Sequence, residues 1–202
     1  MAAAGKVCTG FSKPYVAKYS NTGGAVSYSG CMQLARGVSV SLSLDTTDDN
    51  NFYADNIVAE TAAAMFTSGT ATLTVDGLLT AAEKFVLGLP EATKTEVGGS
   101  SVDVSHYGDA MEIPYVGIGF VVRYQSGGVV TYAPVVLTKA RFQQPGLDAS
   151  TQEDTIDWQT QELTAQLMRD DTTSHDWKLV GADQTTEEAA VAVLQALLGG
   201  AA

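Results

Sequence analysis

The chain has 202 residues, 45% of them hydrophobic and 17% charged, with a formal net charge of −12. That length suits one domain that buries roughly 70% of the surface its unfolded chain exposes. The acidic balance excludes a sequence-nonspecific nucleic-acid binder, which needs clustered cations to displace counterions from phosphates.

The charge is unevenly spread. Residues 1–44 carry Lys6, Lys13, Lys18 and Arg36 and no acid, whereas residues 145–202 carry 11 acids against Arg169 and Lys178. Ends of opposite sign can draw neighbouring copies together head to tail. The two cysteines, Cys8 and Cys31, fall in no CxxC or metal spacing and are expected as free thiols. The opening residues lack the apolar run of a signal peptide, and no stretch approaches about 18 apolar residues, so no membrane partner is expected.

In chain order, residues 1–12 show little periodicity and read as an arm. Tyr15, Ala17 and Tyr19 alternate with polar neighbours as a short strand. Asn21-Thr22-Gly23-Gly24 is a turn, and residues 25–28 return as a second strand. Residues 33–45 form the clearest strand. Val38, Val40, Leu42 and Leu44 fall on one face, Ser39, Ser41 and Ser43 on the other. Each aliphatic buried there contributes roughly 1.5 kcal/mol or more. Residues 45–51, with Asp45, Asp48, Asp49, Asn50 and Asn51, are too polar to bury and read as a loop, after which FYADN resumes an extended pattern. Residues 58–66 are ambiguous between strand and helix.

Ser68-Gly69 is a turn signal. Thr70, Thr72 and Thr74 then alternate with Ala71, Leu73 and Val75 in another amphipathic strand. Thr80 and Glu83 have capping-box spacing ahead of a short helix that Gly88 and Pro90 end. Residues 91–101 read as a loop. Two strands rich in Val, Ile, Tyr and Phe, 115–125 and 129–142, flank Ser126-Gly127-Gly128 as a hairpin. Residues 148–154 are an acidic loop. Residues 155–168 read as one long strand with a bulge, because Ile156 and Trp158 are out of phase with Leu163, Ala165 and Leu167. Trp177 to Val180 is a short strand end. Thr186-Glu187-Glu188 opens a terminal helix whose Leu194, Leu197 and Leu198 share a side, stopped by Gly199-Gly200. The fold class is mainly β, a β-sandwich or partly closed barrel with one short flanking helix and a C-terminal helix.

Chemistry-bearing patterns are absent. His106 lies near Asp103 and Asp109, and His175 beside Asp176, but no nucleophile elbow accompanies either. Asp45, Asp48 and Asp49 fail the alternate-position spacing of a calcium loop. There is no phosphate-cradling glycine motif. Tyr115, Phe120, Tyr124 and Tyr132 are candidates for a sugar-binding face, though aromatics at strand spacing more often pack. The residues therefore predict no enzyme, cofactor or metal.

Three segments carry a resemblance. GVSVSLSLD runs through an acid-rich loop into NNFYADN. IPYVGIGFVVRY is followed by YAPVVLTKARF. STQEDTIDWQTQELTAQLM closes the series. Together, from Gly37 to Met168, they resemble the major tail protein family of long-tailed, non-contractile bacteriophages. The resemblance implies a tail-tube β-domain over 14–180, flanked by an N-terminal arm over 1–13 and a C-terminal helical arm over 181–202 that are read from the residues and are less typical of the family. It implies a structural virion protein, built in the host cytoplasm, that closes hexameric rings and stacks them into a tail tube. Its partners are then copies of itself and the tape-measure, tail-tip and tail-terminator proteins, while DNA transits the lumen without specific binding. The segment 45–56, including Asp55, is the expected inter-ring stacking loop, and the Ser39-Ser41-Ser43 face the expected lumen lining. The alternative is a secreted or virion β-sandwich module for carbohydrate binding or adhesion, which predicts a monomer with a ligand-facing aromatic patch.

Overall fold

The computed structural model describes residues 5–147, 149–151 and 158–200. Strand β1 (Val7–Thr22) turns into β2 (Ala25–Gln33) at Gly23 and Gly24, both at positive φ, with the Asn21 side chain accepting from the Gly24 amide. Next come β3 (Gly37–Thr46), β4 (Asn50–Ala54), β5 (Ile57–Ala62) and β6 (Phe66–Val75). Helix α1 (Thr80–Leu87) precedes the small hairpin β7 (Thr93–Val97) and β8 (Ser100–Val104). The long hairpin is β9 (Val116–Ser126) and β10 (Val129–Phe142), followed by β11 (Gln161–Met168), β12 (Lys178–Val180) and α2 (Glu187–Leu197). The molecule is mainly β, as the sequence predicts.

One antiparallel sheet runs β2-β1-β9-β10-β11-β6-β3, with β12 also paired to β10. It curls, so β3 returns toward β1 through side chains without a ladder between them. The Phe11 ring lies so close to Gly37 that a Cβ there would sit 2.3 Å from it. The concave interior holds the main core, including Val16, Leu73, Ile118, Phe120, Leu137, Leu163 and Leu167, with α1 contributing Val86 and Leu87. On the opposite face of β1, β9 and β10, a second core forms under α2 from Ala17, Val121, Val136, Ala190, Leu194 and Leu198. These strands are thus apolar on both faces. Gly119 makes the helix docking feasible, since a Cβ there would lie 2.9 Å from both Leu194 and Leu198. Thr186 caps α2 by accepting from the Ala189 amide at 3.2 Å. Thr186→Ala is expected to lower stability by about 1 kcal/mol, read from a denaturant titration.

Several expectations are corrected. Residues 7–13, expected as arm, are the first half of β1 and pair with β9. Aperiodicity hid this, because the ladder shifts register at Cys8/Gly10 and Ser12/Tyr15, with Lys13 at φ 53. Ser68-Gly69 is no turn but lies inside β6, where β3 passes so closely that a Cβ on Gly69 would meet the Ser43 carbonyl at 2.8 Å. The capping box is absent. Leu79 is the cap residue of α1, without a side-chain bond, and Thr80 is already helical. Residues 91–101 are not a loop throughout, since they supply β7 and the start of β8 around a Gly98-Gly99 turn. β11 begins only at Gln161, and Trp158 precedes it, 83% exposed. Ile156 and most of the expected loop 148–154 lie outside the described residues. Among the described residues, no helix is long and apolar enough to cross a membrane.

Candidate functional site

Two surfaces answer to the predicted sites, and both grow from the β3–β6 pair. The first is an arm. β3 pairs with β6 up to Thr46↔Phe66, and the ladder is carried onward by Thr47 and Met65. The Thr47 amide donates to the Met65 carbonyl at 2.9 Å, and the Met65 amide donates to Thr47 Oγ1 at 2.9 Å. β4 and β5 then extend the ribbon to a tip at Asp55 and Asn56, both at positive φ as a primed two-residue turn requires.

The expected loop at 45–51 is therefore mostly ribbon. Asp45 pairs with Ser68 one rung before the end of the β3 ladder, its side chain accepting from Ser68 Oγ at 3.0 Å. Asp49 accepts from the Ala64 amide at 2.9 Å, Asn51 accepts from Thr61 at 2.7 Å, and Asn50 pairs with Ala62. Only Asp48 keeps the solvated character expected of the segment, lying between strands and exposed. Polarity misled because these side chains bond within the ribbon rather than to water alone.

Every residue of β4 and β5 is exposed. The register places Phe52 and Ile57 on one face of the ribbon and Tyr53 and Val58 on the other. They are 64%, 67%, 62% and 47% exposed respectively. The arm thus presents large apolar side chains on both faces, and among the described residues nothing covers them. A lone two-stranded ribbon is marginal in water. From Gly37 to Val75 the chain carries five acids and no cation. The β7–β8 hairpin is a second exposed ribbon, with Val97, Val102 and Val104 uncovered. Sequence reading missed it, and its signal was the Gly98-Gly99 pair between alternating Thr/Val segments.

The second surface is polar. Ser39, Ser41 and Ser43 stand exposed on β3, with Thr74, Thr72 and Thr70 opposite them on β6. Ser39 Oγ donates to Thr74 Oγ1 at 3.0 Å. Across β6, β11 adds Glu162, Thr164 and Gln166, and β10 adds Arg141 opposite Gln166. This is the same sheet face that α2 covers over β1, β9 and β10, left bare on the other half. Two of the predicted aliphatics on the reverse side, Val40 and Leu42, pack on the core, while Val38 and Leu44 remain exposed because β3 is the edge. Lys139 at the margin of the bare face is tied to Asp171 at 2.7 Å, so Arg141 is its exposed cation.

Asp171 also accepts from the Tyr19 hydroxyl at 2.8 Å. The bonds from Lys139 and Tyr19 hold its carboxyl below the usual carboxylate range, and burial with the Asp171 bond pushes Tyr19 up to about 12. A lowered carboxyl stabilises the fold above its ordinary value and loses that contribution as pH falls through the lowered one. Asp171→Asn is therefore expected to flatten the fall in melting temperature below about pH 4, where the native protein declines more steeply.

The remaining candidates disperse. Ser174 donates directly to Asp176 at 2.8 Å, and His175 faces the Asp170 carbonyl at 3.2 Å, so no hydroxyl–imidazole–carboxylate relay forms. His106 meets Thr93 at 2.6 Å. Phe120 is buried against Phe11, Tyr132 packs in the second core, Tyr124 lies under Lys6 and Tyr115 beside Lys139 and Arg141, so the four aromatics form no common platform. Cys8 and Cys31 are free thiols. The opposite charges of the chain ends meet within one subunit, where Lys6 bonds Asp183 at 2.8 Å. Among the described residues, no three His, Cys, Asp or Glu side chains gather as metal ligands. In comparison with known proteins, the sequence matches no family model and no curated protein.

Proposed function

We propose that the chain is a self-assembling structural subunit that closes into rings and stacks them as a tube, the tail tube of a long-tailed phage by sequence resemblance. The observation that carries this reading is the β4–β5 arm, apolar on both faces and exposed at every residue. Exposed apolar ribbons of this kind are liabilities in a permanent monomer and contact surfaces in an assembly. Two further features support it. β3 is an open edge of ten residues without lysine or proline, the devices that normally block edge pairing. The bare Ser/Thr face beside it offers phosphates little to exchange for their counterions, which suits a wall that DNA slides past. A contact that closes gives a ring, and a second that does not close gives a filament.

Negative-stain electron microscopy across concentration, with light scattering, tests the proposal. Rings or tubes with a central channel are expected. A strict monomer that also fails to add to a purified tail-tip complex would overturn it.

A further inference from the structure

At the end of β6 and β11 remote from the arm, a groove of about 400 Å³ opens between the chain leaving β6, the chain leaving β10 and the chain entering β11. Asp76, Gln143, Gln161 and Glu162 are among its polar lining residues, and Pro145 and Leu147, the latter 92% exposed, add apolar surface. Part of this lining is held by bonds of its own. Gln161 Oε1 accepts from the Leu78 amide at 3.1 Å. Asp76 is held by the Arg36 guanidinium and by the Arg36 amide. The Gln143 amide donates to the Thr164 carbonyl at 2.8 Å, locking the end of β10 onto β11.

The chemistry of the lining selects a ligand class. Two carboxylates and one cation, Arg36, that is already bonded to one of them disfavour an anion. Amides and carboxylates side by side satisfy neighbouring hydroxyls, each of which donates and accepts. The apolar surface of Pro145 and Leu147 suits the C–H face of a sugar ring. Ordering costs fall where lining groups such as Asp76 and Gln161 are held in advance. We propose that this groove binds an uncharged, hydroxyl-rich ligand, one or two units of a neutral glycan.

Saturation-transfer NMR on dilute, dispersed subunits, with neutral hexoses and their disaccharides as probes, tests it. Binding with a dissociation constant on the order of 1 mM is expected. Glu162→Ala and Gln143→Ala should each weaken binding about tenfold, equivalent to one lost polar contact. Their melting temperatures are compared with the parent, so that loss of fold is separated from loss of contact. No transfer from any sugar at about 100 mM, well above that constant, overturns the proposal. So does binding unchanged in both variants, or occupancy of the groove by a peptide spanning residues 48–62 in place of sugar.

Discussion

Excising residues 48–64 and joining Thr47 to Met65 through an Asn-Gly turn is expected to leave the subunit folded and abolish its polymers. The β4–β5 arm buries nothing of the body, so its removal withdraws no core contact. The reciprocal Thr47–Met65 bonds remain to close the shortened hairpin. The melting temperature should shift by no more than about 2 °C, the range of a surface change below 1 kcal/mol. Polymers should vanish in sedimentation and in electron micrographs. The cut has to spare Asp45, since deleting 45–51 removes two rungs of the β3–β6 ladder and the Asp45–Ser68 bond, and so confuses lost assembly with lost fold. Normal tubes from the excised protein would sink the role given to the arm.

The opposite pattern is expected for Leu194→Ala. Leu194 is fully buried in the second core with Leu198, against Gly119 of β9. Truncating it leaves a cavity that the bare backbone of Gly119 cannot fill. The cost is about 2–5 kcal/mol. In a protein of this size that corresponds to a melting temperature lower by roughly 5–20 °C. A shift under about 2 °C would show that α2 rests on the sheet without contributing to the core. The C-terminal helix is thus part of the folded body, although its sequence has the look of an appended arm.

What was legible followed from periodicity and turn chemistry. Thr70 to Val75 alternate, and every second residue is buried as predicted. The Gly127-Gly128 turn and the strands it joins fall where the sequence places them. The serines of β3 and the aliphatics behind them take opposite faces, as their spacing dictates. What was not legible depends on neighbours. β1 starts early because β9 is there to pair with it, despite two register shifts that break its pattern. Gly69 reads as a turn in isolation, yet it serves the close passage of β3. FYADN was legible as extended, but β5 and the β7–β8 hairpin escaped because their strands are exposed on both faces, so no burial signal marked them. The segment 45–56 was legible as polar and exposed, but not as an ordered ribbon.

The link between that ribbon and the sheet has a mechanical consequence. The tip at Asp55–Asn56 and the serine-bearing stretch of β3 belong to two antiparallel ladders, tied end to end by the Thr47–Met65 bonds. Rungs of such a ladder lie across the strands. A load applied at the tip along the strand axis is therefore shared by many rungs in shear, instead of peeling them apart one after another. If the arm joins copies as proposed, tension passing through it would reach the sheet as a distributed strain, the property a long assembly needs if it is to bend without parting.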